Sequence, residues 1–600
     1  MRSPYAALVV AAIVVAAAGD PKGSPLQLLY AGDPDQPSPR LRRSAQALAT
    51  AEGSPLQILN PAVVHSQSAD LRTRAETSNY EETSRYDDVM RIVSRLVATS
   101  PIVYTEMFGR TEEERDLPLL VISDPKVSSP EAAHKLGRPL VFVQANIHAG
   151  EVEGKEAILM LARRLVSGEL KPITKQLVVL IAPIYNADGN EKVSVQNRTA
   201  QNGPVAGVGT RENAKGLDLN RDYMKLESRE ARGLVQLMTR WDPHVLVDLH
   251  TTNGSYHAYH LTYASILNPN ADARLIAFER ERMLPAVQSA VLKKGGFRTY
   301  YYGNFSRESG GGRESARIDP AAPGNATWRT FDHRPRFGNN YVGLRNRIAI
   351  LLEAYSYLDF KGRIDVTTAF VEEIWRASAE NAQRILSLTS QADRQFTAPQ
   401  TVKPIELGVD FEIRALPELV DIVVGDVKKQ LNPRSGREMS QMTEMATPVK
   451  MKDYGAFEAT RVVAIPKGWL IPKPLVDSPR MAAAIDRIKW HGLQMRTISS
   501  EGPVTVERFL IDEYTRAERP FQGHREARLR GSLQKAQLSV SAGSLFIPAN
   551  QPLARLAFYL LEAESDDGLV TWNIIEEGLA VGETYPIYRV LNSTSLSFDR

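Results

Sequence analysis

Cysteine is absent from all 600 residues, which excludes disulfides, thiolate metal ligands and cysteine nucleophiles. Any metal must therefore be held by histidine and carboxylate side chains. Net charge is nearly absent too. Lys and Arg number 73 against 70 Asp and Glu, leaving +3, with no electrostatic footprint for nucleic acid or an anionic membrane. No G-x-S-x-G elbow occurs, and Gly207-Val208-Gly209 does not follow a strand, so serine-hydrolase and dinucleotide readings lack their motifs. What looks most like a membrane segment, the apolar run Ala6 to Ala18 after Met1-Arg2, is too short to span a bilayer. It has the form of a secretory signal over residues 1–18, with Ala16-Ala17-Ala18 as an A-x-A cleavage site. The expectation is export, periplasmic or extracellular, with no membrane span in the mature chain.

Apolar content of 43% and charged content of 24% describe a globular protein, long enough for several domains at about 150 residues each. Residues 19–74 are rich in Pro and Gly and read as a linker or pro-segment, with a short duplication, Gly23-Ser-Pro-Leu-Gln27 and Gly53-Ser-Pro-Leu-Gln57. From residue 75 to 395 strands alternate with helices. Strands are expected at 102–108, 117–123, 140–147, 176–182, 244–249 and 347–352, and helices at 86–97, 154–167, 228–241, 272–293 and 367–388. This alternation predicts an α/β domain, its sheet mostly parallel (mixed) with helices on both faces. Residues 400–600 form a separate β-rich C-terminal region with short strands at 462–465, 504–511 and 536–540 and helices at 479–490 and 552–562. Its His491 and His524 have no partner at ligand spacing and read as ordinary core or surface residues.

Three of the apolar strands end in groups suited to metal-assisted hydrolysis. The strand 140–147 delivers His148-Ala149-Gly150-Glu151, 244–249 leads to His250, and 347–352 leads to Glu353. An isolated H-x-x-E is explained as well by a capping glutamate and an incidental histidine. In an open α/β sheet, however, the site lies off the carboxyl ends of the strands, where all of these groups fall. Two histidines and a carboxylate, His148, Glu151 and His250, make a three-ligand zinc site that leaves a position for water. Glu353 is then available as general base.

These motifs resemble the zinc metallocarboxypeptidase family, the carboxypeptidase A/B-like peptidases, over about residues 75–395. The match includes His148-x-x-Glu151, Asn186-Ala187-Asp188-Gly189, Leu217-Asp218-Leu219-Asn220-Arg221-Asp222, Asp248-Leu249-His250 and Leu351-Leu352-Glu353. The resemblance implies one Zn2+ per chain on His148, Glu151 and His250, with Glu353 catalytic. It implies that Asp218 accepts the free N–H of a ligand histidine, and that Asn220 and Arg221 grip the terminal carboxylate of a peptide substrate. Arg211 would polarise the scissile carbonyl, with Arg198 as a competing candidate. The family's mobile-loop tyrosine has Tyr341 as its nearest counterpart, although Tyr341 lies closer to Glu353 than the family pattern has it. Arg334 and Arg336, in the same divergent segment, read as solvated loop charges ahead of the alternative that they bias the side-chain pocket towards acidic groups, and Gly310-Gly311-Gly312 reads as a mobile loop or a plain connector.

The implied function is zinc-dependent hydrolysis of the C-terminal peptide bond. One alternative is an aspartoacylase or desuccinylase-like zinc hydrolase of N-acyl amino acids, of whose D-L-H-x-T-T the stretch Asp248-Leu249-His250-Thr251-Thr252 is reminiscent. Another is a zinc- or peptide-binding scaffold in which catalysis has lapsed, which the retained Glu353 disfavours.

Overall fold

The structure is a computed structural model that describes residues 71–307, 317–398, 405–594 and 596–599. The signal segment, residues 19–70 of the expected linker and Gly310-Gly311-Gly312 lie outside the described residues. Of the linker's last residues, Thr73 caps a short helix, Arg74–Thr77, by accepting the amide of Glu76.

In chain order the strands are β1 (Val103–Arg110), β2 (Asp116–Ile122), β3 (Leu140–Ala145), β4 (Val178–Ala182), β5 (Val245–Thr252), β6 (Leu261–Ala264), β7 (Thr299–Tyr301), β8 (Asn304–Arg307), β9 (Ala326–Arg329) and β10 (Ile348–Tyr355). An eight-stranded sheet runs β1-β2-β4-β3-β5-β10-β6-β7. Its centre, β4-β3-β5-β10, is parallel, while β1, β2 and β6 introduce antiparallel pairs. β3, β4 and β5 are buried at every position, as expected of parallel strands covered on both faces.

The helices follow from apolar spacing. In Tyr86–Thr99 the buried residues are Val89, Ile92, Val93 and Leu96, one stripe along the helix. Arg229–Trp241 begins at Ser228, whose side chain accepts the amide of Ala231. Two expected helices are broken. The 272–293 stretch divides around a π-helical turn, Glu279–Met283, just before Pro285, which has no N–H to continue the ladder. The 367–388 stretch spans parts of two helices, Phe360–Glu380 and Ala382–Thr397, which meet at Asn381. Asp359 caps the first by accepting the amide of Gly362.

Past residue 405 the chain is β-rich. A six-stranded antiparallel sheet is built on the long hairpin Gly502–Arg516 and Ala527–Val540. A four-stranded sheet joins β8 and β9 to Leu419–Val424 and Thr447–Tyr454. The expected segments 504–511 and 536–540 are parts of the long hairpin, and 462–465 overlaps the end of Ala456–Ala464. The apolar core continues across the expected boundary at 395–400, running from Leu71 to Ile587.

Candidate metal centre

β3 ends at Ala145, and Asn146 turns the chain with a left-handed φ of 66°. The amide of Glu151 then closes a turn on the carbonyl of His148 at 2.9 Å. The helix Glu153–Val166 follows directly and lies hard against β5. A Cβ on Gly154 would stand 2.6 Å from Cβ of Leu249, so only glycine lets this turn approach the strand that carries His250. His250 and Glu353 fall within β5 and β10, which run on to Thr252 and Tyr355. They are direct neighbours in the parallel register of these strands.

His148, Glu151 and His250 are buried, and one ligand atom from each lies within 4.8 Å of the others. Nδ1 of His148 is 2.9 Å from Oε1 of Glu151. Nδ1 of His250 is 3.1 Å from Oε2, which also accepts the amide of Thr251 at 2.9 Å. The outward nitrogens face acids: Nε2 of His148 is 3.0 Å from Oδ1 of Asp218, and Nε2 of His250 is 2.9 Å from Oδ2 of Asp248. That second contact is an ion-pair distance without the angle of an aligned hydrogen bond.

When each imidazole is neutral with its proton on Nε2, toward Asp218 or Asp248, the two Nδ1 atoms, 3.3 Å apart, present lone pairs inward. Two buried acceptors facing each other beside a carboxylate repel unless a cation sits among them. This donor set, two imidazoles and one carboxylate backed by acids, suits zinc.

The surrounding charges reinforce this. Burial works against the charged carboxylate of Glu151, but His148 and Arg198 outweigh it and hold the group well below the usual range. Asp218 is held low in the same way, burial being outweighed first by His148. Burial and the neighbouring Glu151 push Glu353 up to about 8, against the pull of His250. Among the described residues no hydrogen-bond partner is recorded for Glu353.

Residues 90–254 match the family model described as zinc carboxypeptidase. Over that stretch the chain is similar to zinc carboxypeptidases. A relative named carboxypeptidase 2, from Trichophyton tonsurans, is 22% identical over 522 residues and covers 84% of this chain and 86% of its own length. Carboxypeptidase Z from Mus musculus is 33% identical over 154 residues, 24% of this chain and 22% of the relative. A solved structure titled putative carboxypeptidase A, from Shewanella denitrificans, shares 18% identity, covers 49% of this chain and 69% of that one, and has a TM-score of 0.35. At that score the likeness adds nothing to the sheet order described above.

The structure places the other expected residues unequally. Arg211 reaches the centre: its Nε and Nη2 donate to Oδ2 of Asp218 at 3.0 and 2.9 Å, and Nη1 is 3.7 Å from Oε1 of Glu151. Arg198 reaches it as well, with Nη2 2.5 Å from the same oxygen. Asn186 supports the Arg211 loop by donating to the Arg211 carbonyl at 3.1 Å. Asn220 accepts the amide of Gly338 on Oδ1 at 3.1 Å. The guanidinium of Arg221 lies 4.0 Å over the ring of Phe337, and burial lowers its pKa. Its Nη1 donates to the carbonyl of Asn220 at 2.6 Å.

Tyr341 is a correction. It lies in the helix Gly338–Leu344, buried throughout, rather than on a mobile loop. Its ring packs 5.4 Å from that of Tyr223, and its hydroxyl is 2.8 Å from Nδ1 of His491. A side chain with no exposed surface and a committed hydroxyl does not close over a substrate. Arg336 is not a solvated loop charge either: it is buried between Asp567, at 2.7 Å, and Glu526. Asp248, in the sequence part of the Asp248-Leu249-His250 motif, is the acid that backs His250. Its signal was legible, because residues two apart on a strand share a face.

Proposed function

We propose that the chain is a zinc-dependent metallocarboxypeptidase that removes C-terminal residues from peptides. The observation that carries this reading is the convergence of His148 Nδ1, His250 Nδ1 and Glu151 beside Glu353, a carboxylate raised to about 8 on the neighbouring strand. His148, Glu151 and His250 would hold one zinc ion, which would supply the Lewis acidity that peptide-bond hydrolysis needs.

Glu353 takes a proton from the attacking water as general base and returns it to the leaving amine. Arg211, with Arg198 beside it, presents positive charge to the carbonyl oxygen as negative charge develops there. Asp218 and Asp248 hold the ligand imidazoles in the tautomer whose Nδ1 faces inward. Arg221 and Asn220 bind the terminal carboxylate, for which a planar guanidinium is suited, and so direct cleavage to chain ends. The substrate is a peptide with a free C-terminal carboxylate. No helix among the described residues is long and apolar enough to cross a membrane, and export rests on the form of residues 1–18 alone.

The test is digestion of a mixed peptide pool followed by mass spectrometry, with and without chelator. Loss of one residue at a time from C-termini, abolished by chelation, is expected. Internal cleavage, or ladders from N-termini, would refute the assignment.

A further inference from the structure

The strip that carries Asp218, Asn220 and Arg221 is held in place by the C-terminal region. The amide of Asp218 donates to Oε1 of Gln522 at 2.9 Å. Nε2 of His524 is 2.9 Å from Oε1 of Glu227, and Nε of Arg487 donates to the carbonyl of Lys225 at 2.8 Å. The facing strip, which sets Phe337 under Arg221 and Gly338 against Asn220, is held by the same region. Nε2 of His333 is 3.0 Å from Oδ2 of Asp566, and the amide of Arg336 donates to Oδ2 of Asp567 at 2.6 Å. Gln522 and His524 sit in the turn that joins Gly502–Arg516 to Ala527–Val540.

We infer that this hairpin tip completes the substrate site, with Gln522 as a positioning residue for the turn that bears Asn220 and Arg221. The inference rests on the carboxypeptidase reading above. Asp218 cannot hold its own amide: its Oδ1 takes the amide of Asn220 at 2.9 Å and faces His148, and its Oδ2 takes Arg211. A buried backbone N–H must have an acceptor, and Gln522 supplies it across 304 positions of chain. Without it the turn loses its outer anchor, while the bonds of Asp218 to His148 and Arg211 remain. Asn220 and Arg221 address the non-reacting end of the substrate, so their misplacement weakens binding without slowing the chemical step.

The test uses the full-length, zinc-loaded chain and one free-acid peptide, comparing wild type, Gln522→Met, which keeps the shape and removes the acceptor, and Gln522→Glu, which keeps an acceptor oxygen. Steady-state kinetics, zinc per chain and thermal midpoint are read for each. Gln522→Met is expected to raise KM about fivefold to tenfold with kcat within about twofold, at unchanged zinc content and midpoint, and Gln522→Glu to return KM toward wild type. An unchanged KM in Gln522→Met overturns the inference, whether or not the midpoint falls. So does a joint loss of kcat and zinc, which would make Gln522 a support for the metal ligand alone. If wild type releases nothing from free-acid peptides, the carboxypeptidase reading fails and this inference falls with it. Wild-type turnover that Gln522→Met leaves unaltered sinks the inference only.

Discussion

Asp248 stands two residues before His250 on β5, with its Oδ2 2.9 Å from Nε2 of His250, matching the 3.0 Å between Asp218 and Nε2 of His148 on the other side of the centre. Each imidazole of the centre is thus backed by its own acid. Loss of such a partner typically weakens metal binding about tenfold to a hundredfold. Asp248→Asn is expected to lose zinc affinity to that extent, measured by competition with a chelator of known affinity. Wild-type zinc retention in the variant would show that Asp248 does not orient the ligand.

Glu353 has no competing hydrogen-bond partner recorded among the described residues and adjoins His250 in the sheet. Glu353→Gln is nearly isosteric and removes the base. Turnover is expected to fall at least about a hundredfold to ten-thousandfold while zinc content stays at one per chain. Comparable loss of zinc and activity together would make Glu353 a ligand instead.

Arg221 has its guanidinium over Phe337 and donates from Nη1 to the carbonyl of Asn220. Arg221→Ala is expected to lower kcat/KM for free-acid peptides about a hundredfold, mainly through KM. Arg221→Lys should restore little, because a point charge does not reproduce the planar fork. Equal loss in kcat at constant KM would place Arg221 at the reacting bond.

Two buried histidines set an acid limit on stability. Burial lowers both His257 and His491 from 6.5 to about 3, so the fold keeps them neutral where the unfolded chain protonates them. Their contribution is therefore complete above pH 6.5 and is lost as pH falls toward 3. Each is expected to cost about 1.4 kcal/mol per pH unit once the unfolded chain is fully protonated. Urea unfolding at a series of pH values reads the slope, and His491→Gln should make it shallower. Stability independent of pH between 6.5 and 4 would contradict this.

The parts legible in the sequence were those set by local pattern. Parallel interior strands are continuous apolar runs, so β3, β4, β5 and β10 are legible, and with them His148, His250 and Glu353, although β5 and β10 run on past His250 and Glu353 because their polar ends stay paired in the sheet. The environment of Tyr341 could not be read, because the partner of its hydroxyl, His491, is 150 positions away. Arg336 looked solvated for the same reason: its acids, Glu526 and Asp567, come from the C-terminal region. Residue 400 looked like a boundary because the texture changes there, yet the core does not stop.

The central claim is that a zinc centre on His148, Glu151 and His250 serves cleavage at a free C-terminus. It is tested most directly by giving the zinc-loaded chain one peptide as free acid and as C-terminal amide, alongside N-acetyl amino acids, and following product release. Release of the terminal residue from the free acid, with the amide and the acyl amino acids left intact, is the expected result. Cleavage of the N-acetyl amino acids with the free-acid peptide untouched would contradict it.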